Sequence, residues 1–258
     1  MSGLYGHPEY YDVAFTWDLG PEIDFFGRVF EEHVPFPVRR ILEPCCGTGR
    51  FLLALPGHGY SVTGYDRSPD MLAYARQRVA DHGDPVMARA IEGDMVTLRF
   101  EHEFDAALNS INSIGYLLSD EEIVVHLRNI GGSLRRGGVY IVHIACAWEG
   151  EPDLDHNTWT MERDGLRVTT TWRIEKDDPE ERLSHQVCTM EVDDRGEASV
   201  LEFRETMRLW YHDEFRSLVK RSGALEYAAL YAEDFAPMSL DARVTGEMGN
   251  LYHVLRAV

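Results

Sequence analysis

Between residues 38 and 146, short apolar runs alternate with stretches of helical period. Arg40-Ile-Leu-Glu-Pro44 reads as a buried strand, 59–65 as a second, 87–91 as a third and Phe104-Asp-Ala-Ala-Leu-Asn109 as a fourth. A fifth, 139–145, follows the turn Gly137-Gly138. Ser68 predicts a helix cap, with Pro69 at the first helical position and the helix running through Val79. Another helix is expected from about Ser119 to Arg135. Strands alternating with helices in this way predict a mostly parallel sheet with helices on both faces.

The flanking segments read differently. Residues 1–37 open with Tyr5, Tyr10, Tyr11, Phe15 and Trp17, then place Ile23, Phe26 and Phe30 on one helix face ended by Pro35 and Pro37. In 147–210 the period changes to two. Thr158-Trp-Thr-Met-Glu and Leu166-Arg-Val-Thr-Thr-Thr-Trp-Arg-Ile flank the hairpin signal Arg163-Asp164-Gly165, and two more extended runs follow, 186–192 and 200–210. This predicts a four-stranded antiparallel insert. The α/β pattern then returns with a helix at 211–222 and strands near 225–231 and 250–257. The expected organisation is a helical cap (1–37), an α/β domain (38–146 with 211–258) and the insert (147–210).

Composition narrows the class. Hydrophobic residues make up 44% of 258, enough for a buried core. The balance of 25 basic against 44 acidic residues, −19, disfavours nucleic acid and anionic membranes as partners. No apolar run approaches the roughly 18 residues of a membrane span. The opening Met1-Ser-Gly-Leu-Tyr-Gly-His7 lacks the basic and apolar regions of a signal peptide, so a cytoplasmic protein is expected. Cys45, Cys46, Cys146 and Cys188 form no zinc-type spacing, and neither a metal nor a disulfide is expected.

The chemistry concentrates at Ile41-Leu-Glu-Pro-Cys-Cys-Gly-Thr-Gly-Arg-Phe-Leu52, a strand entering a Gly-x-Gly turn and leaving as a helix. Asp66 ends the second strand, where a carboxylate can accept from both ribose hydroxyls. Asp94 and Met95 follow the third, where a carboxylate can take an adenine amino group and a thioether can stack on the ring. A dinucleotide fits poorly. The third glycine of G-x-G-x-x-G is missing, and Glu43 would repel a pyrophosphate. The same charge suits an ammonium or a sulfonium.

With these residues the sequence resembles the class I S-adenosylmethionine-dependent methyltransferases. Ile41 to Gly49 is similar to their first motif, Tyr65-Asp-Arg-Ser-Pro-Asp-Met-Leu72 to the second, and Gly93-Asp94-Met95 to the third. The segment 104–117 resembles their fourth strand and following loop, and Leu134-Arg-Arg-Gly-Gly138 their Leu-Arg-Pro-Gly-Gly turn, with Arg136 in place of proline. More loosely, Tyr10-Tyr11-Asp12 resembles the N-terminal Tyr-Asp of aminosugar- and glycine-type N-methyltransferases. The resemblance implies a Rossmann-like, seven-stranded, mostly parallel α/β sheet with the antiparallel insert after strand five. It implies S-adenosylmethionine as methyl donor, with S-adenosylhomocysteine as product. Glu43, Cys46, Gly47, Thr48, Gly49, Asp66, Arg67, Met71, Gly93, Asp94, Met95 and Asn109 would form the cofactor site. Tyr11, Trp17, Asn112, Tyr116, His143 and Trp148 are expected to line the site of a small-molecule acceptor.

Methyl transfer is an in-line displacement from a good leaving group, so alignment dominates and no metal is needed. A hydroxyl acceptor needs a base. His143 on the fifth strand is the candidate, with Tyr11 as a second catalytic candidate. The insert is expected to roof the acceptor pocket or to pair two subunits into a homodimer. An NAD-dependent oxidoreductase and a non-catalytic S-adenosylmethionine-binding protein are the competing readings.

Overall fold

The computed structural model describes residues 3–145, 156–242 and 250–258. Helices α1 (Pro8–Ala14) and α2 (Gly20–His33) open the chain. The alternating region follows: β1 (Arg40–Pro44), α3 (Arg50–Ala54), β2 (Ser61–Asp66), α4 (Pro69–His82), β3 (Ala88–Glu92), β4 (Phe104–Asn109), α5 (Asp120–Ser133) and β5 (Leu134–Ile144). Strands β6 (His156–Arg163), β7 (Leu166–Asp178), β8 (Leu183–Asp194) and β9 (Glu197–Arg208) come next. The chain closes with α6 (His212–Ser222), β10 (Leu225–Tyr231), β11 (Pro237–Met238) and β12 (Leu251–Ala257).

Local sequence explains the helix starts. The Ser68 hydroxyl accepts from the Met71 amide at 3.3 Å, and Pro69 begins α4. Ser119 and Glu122 form a reciprocal capping box on α5. One boundary departs from expectation. α5 ends at Ser133 and β5 begins at once, two residues before the expected helix end and five before the expected strand start. The glycine pair lies inside the strand. Gly137 has φ +86°, and a Cβ on Gly138 would stand 2.5 Å from the Asp105 carbonyl oxygen. The pairing of β4 with β5 shifts register there, from Phe104↔Leu134 to Ala106↔Val139. The pair therefore makes a bulge that lets β5 pass close to β4, where a turn was expected.

The main sheet runs β11-β10-β12-β5-β4-β1-β2-β3. β1 to β5 are parallel, and β12 is antiparallel to β5. The two-residue β11 makes it eight strands, one more than expected, with the same mostly parallel core. One face packs on α5 and α6 through Ile123, Leu127, Phe215 and Tyr140. The other packs on α2, α3 and α4 through Phe26, Phe51, Leu72 and Ile141. Strand order reverses at β1, between β2 and β4, so the loop after β1 opens where open α/β sheets bind ligands.

The four remaining strands form their own antiparallel sheet, β6-β7-β8-β9. Its inner face, including Leu166, Val168, Cys188 and Met190, buries Val13, Ala14 and Phe15 of the α1 segment. β9 reaches the loop after β4. Arg208 donates to the Leu118 carbonyl at 2.9 Å and pairs with Asp120 at 2.7 Å. The insert thus leans on the N-terminal helix and on the start of α5.

Candidate functional site

A cleft opens at the carboxyl ends of β1, β2 and β3. Of the expected residues, Gly47, Asp66, Arg67, Gly93, Asp94, Met95, Tyr11 and Tyr116 line it. Gly47 has φ +51°, and its amide donates to Asp66 Oδ2 at 2.9 Å. Asp66 Oδ1 accepts from the Ser68 amide at 2.9 Å. Burial raises the Asp66 pKa, and the Ser68 and Gly47 amides pull it back. Two amides thus orient a carboxylate whose remaining lone pairs are available to a diol. Asp94 Oδ1 accepts from the Val96 amide at 2.8 Å, fixing the loop that carries Met95.

Met95 is held from behind by His126. Its Nδ1 lies 3.2 Å from the Met95 carbonyl and its Nε2 3.0 Å from the Tyr140 hydroxyl. A carbonyl only accepts, so Nδ1 carries the proton and Nε2 accepts from Tyr140. Burial lowers the His126 pKa to about 4, which keeps that neutral tautomer.

Other expected residues lie behind the cleft. Glu43 is buried, with Oε2 lacking any hydrogen-bond partner among the described residues. Burial raises its pKa to about 8, with Arg50 pulling the other way. Gly49, Thr48 and Asn109 are braces. Gly49 packs on Ala75 and Leu52. The Thr48 carbonyl accepts from Arg78. Asn109 donates to the Pro44 carbonyl and accepts from the Ile114 amide, each at 3.1 Å. Met71 and Cys46 are core residues. Cys45, with φ +56°, lines the cleft in place of Cys46, because the left-handed residue turns its neighbour inward.

The acceptor-side expectations divide. Asn112 Oδ1 accepts from the Ala145 amide at 3.2 Å and ties the loop after β4 to the end of β5. Trp17 lies under the Arg50 guanidinium, 4.2 Å from its carbon. Trp148 falls outside the described residues. His143 is not among the cleft residues. Strand parity puts it on the α2 face with Ile141, its ring 4.7 Å from that of Tyr252. Burial lowers its pKa to about 4, and Nδ1 has no partner among the described residues. Tyr5, Ser68, Ser113 and Leu117 also line the cleft. Tyr5 donates a short hydrogen bond to the Tyr116 hydroxyl, across a sequence separation that periodicity does not reveal.

Residues 41–138, which span the glycine loop and the three acids, match a family described as a methyltransferase domain. Over this segment the chain is similar to a methyltransferase domain. The surrounding chain extends the likeness. It is 28% identical over 139 residues to the dTDP-3-amino-3,4,6-trideoxy-alpha-D-glucopyranose N,N-dimethyltransferase of Streptomyces venezuelae, covering 53% of this chain and 56% of that one. The chain spans about half the length of the curated relatives it matches. A solved S-adenosylmethionine-dependent methyltransferase from Clostridium acetobutylicum superposes with TM-score 0.77 at 18% identity, covering 96% of both chains. CalS10, an amino pentose methyltransferase from Micromonospora echinaspora solved with S-adenosylmethionine bound, gives 0.73 at 19%, covering 97% and 96%. These structures share the fold of this chain.

Glu43 makes stability depend on pH in a definite direction. Its folded pKa, about 8, lies above the ordinary carboxylate value. Its contribution to stability is full below the unfolded pKa and is lost as pH rises through 8. Glu43→Gln, without ligand, should melt higher than wild type at pH 8 by more than at pH 5. Thermal unfolding across that range checks this, and a pH-independent difference refutes it.

Proposed function

We propose that this protein is an S-adenosylmethionine-dependent methyltransferase acting on an amine or hydroxyl of a small molecule. One observation carries the reading. A single cleft gathers Gly47, Asp66 and Asp94-Met95 from the ends of three successive parallel strands, and an orphaned carboxylate, Glu43, sits behind it. Asp66 would take the ribose diol, Asp94 the adenine amino group, Met95 the ring face and Glu43 the ammonium. Bound there, S-adenosylmethionine would supply a methyl group on an activated sulfonium. The Streptomyces venezuelae relative is named as an amino-sugar N,N-dimethyltransferase, which favours an amine. A dinucleotide is disfavoured. The position of the third glycine is Leu52, fully buried in the core beneath the loop.

The remaining catalytic work falls to alignment and the exclusion of water. Tyr11, from α1, and Tyr116, after β4, converge on the cleft, and Tyr5 bonds Tyr116. Burial raises the pKa of all three phenols, so they stay protonated and act as donors. The insert holds α1 down over the cleft, and we assign it the role of lid on the acceptor side. No helix among the described residues is long and apolar enough to cross a membrane.

The deciding experiment is calorimetric titration with S-adenosylmethionine, S-adenosylhomocysteine and NAD, followed by transfer of labelled methyl to panels of amines and phenols. Tight NAD binding with no response to the sulfonium compound would sink the proposal. For the acceptor that the panel identifies, His143→Gln should lower kcat far less than the 10²–10⁴-fold typical of a lost general base. Its pH profile should keep the shape of the wild type. A loss of that full size would restore His143 as the base.

A further inference from the structure

The inner face of the insert carries an acid over the wall of the cleft. Along β9, Phe203, Glu205 and Met207 alternate onto one side. Their neighbours locate that side. The Phe203 ring meets that of His7 at 5.7 Å, and the Met207 methyl stands 2.7 Å from where a Cβ on Gly115 would lie. His7 follows Tyr5 closely and Gly115 precedes Tyr116, so Glu205 hangs over the two tyrosines that line the cleft. Tyr5 donates to the Tyr116 hydroxyl, and Tyr116 donates to the Glu205 carboxylate. A phenol has one proton and two lone pairs. Tyr116 gives its proton to Glu205 and one lone pair to Tyr5. Its second lone pair is what the cleft offers to an N–H.

The groups around Glu205 set its basicity. Burial raises its pKa, while Arg67, from the loop after β2, and the Tyr116 hydroxyl pull it down. Cys188, on β8, also acts with it, but burial pushes that thiol up to about 12 and keeps it neutral. A carboxylate raised by burial is a better proton acceptor than an exposed one. An ammonium brought out of water beside a sulfonium becomes a better donor. The two shifts converge.

We propose that the acceptor is an amine entering as its ammonium form, and that Glu205, through the Tyr116 hydroxyl, takes the proton it must lose. This rests on the function proposed above and adds the acceptor class and the destination of the proton. The ammonium N–H bond breaks as the Tyr116 oxygen takes that proton, and the Tyr116 O–H passes its own to Glu205. The freed nitrogen lone pair attacks the methyl carbon, whose bonding pair returns to sulfur. The product leaves as the N-methylated ammonium, and the half-buried Glu205 releases its proton to water. Tyr5 is a positioning residue, holding the Tyr116 hydroxyl in this orientation.

Labelled-methyl transfer from S-adenosylmethionine tests the inference on matched pairs: 3-amino-3-deoxy-D-glucose with D-glucose, glycine with glycolate, and 2-phenylethylamine with 2-phenylethanol. Wild type should methylate at least one amine and no hydroxyl partner. With that amine, Glu205→Gln should lower kcat about 10²–10⁴-fold near neutral pH, the usual worth of a positioned proton acceptor. Its rate should recover as pH rises through the amine's own pKa, because neutral amine has no proton to lose. Tyr116→Phe should show the same pH-dependent loss, and it serves as the test if Glu205→Gln does not fold. By calorimetry, Glu205→Gln should bind S-adenosylmethionine as tightly as wild type. A loss equal at every pH, no loss, transfer to a hydroxyl partner or transfer to none of the amines overturns the inference. Each of these outcomes leaves the proposed function standing while S-adenosylmethionine still binds. Wild type that does not bind S-adenosylmethionine overturns both.

Discussion

Asp66→Ala should weaken S-adenosylmethionine binding by about one to two orders of magnitude. Each charge-assisted hydrogen bond lost from a carboxylate costs roughly 1.5–3 kcal/mol, and every 1.4 kcal/mol is tenfold in affinity. The structure makes the upper part of that range the expected result. Asp66 also accepts the Gly47 and Ser68 amides, so its removal leaves two loop donors without their acceptor and loosens the turn that faces the ligand. Asp66→Asn separates the contributions. It keeps the size but offers a donor where an acceptor is needed, and should bind nearly as weakly as the alanine variant. Calorimetric titration measures both. An alanine variant that binds as tightly as wild type would remove Asp66 from the site.

The largest effect on stability should come from Asp12. Its side chain is 1% exposed, and it pairs with Arg78 of α4 and Arg163 of β6, each at 2.5 Å. The Tyr74 hydroxyl donates to the same carboxylate at 3.2 Å. One buried charge thus joins the N-terminal helix, the main domain and the insert. Breaking such a pair costs about 3–5 kcal/mol, because the partners stay behind uncompensated. In a chain of this size each kcal/mol moves the melting midpoint by about 2–4 °C, so Asp12→Ala should melt on the order of 10 °C lower. The insert should also become more sensitive to protease, since Asp12 fixes α1 against it. A midpoint shift of about 2 °C or less would refute the role.

Much of the main domain was legible because its signals are local. A buried strand, a cap and a glycine turn each sit within a few residues, so β1, β4, the start of α4 and the Gly47, Asp66, Asp94 and Met95 positions follow from spacing. The insert strands were visible for the same reason, through period-two patterning and short turns. The α5–β5 boundary was misplaced because Gly137-Gly138 reads identically as a turn or as a bulge. Only the Asp105 carbonyl, on a neighbouring strand, decides for the bulge. Cys45 and Cys46 are equivalent in sequence, and the positive φ of Cys45 decides which one reaches the cleft.

The remaining differences are tertiary. Alternation along β5 correctly separated His143 from Tyr140 and Val142. It could not say which face held the ligand, and His143 lies on the α2 side against Tyr252. Tyr5 meets Tyr116 only because the N-terminal segment folds back onto the cleft. The sequence by itself determined the alternating strands and helices, the glycine loop and the acids that follow each strand, because those depend on backbone preference and hydrophobic period over short spans. The tertiary structure alone decided which side chains share the cleft and how burial shifts the Glu43 carboxyl. Burial and contact across the chain set charge state and partnership, and neither is a property of neighbouring residues.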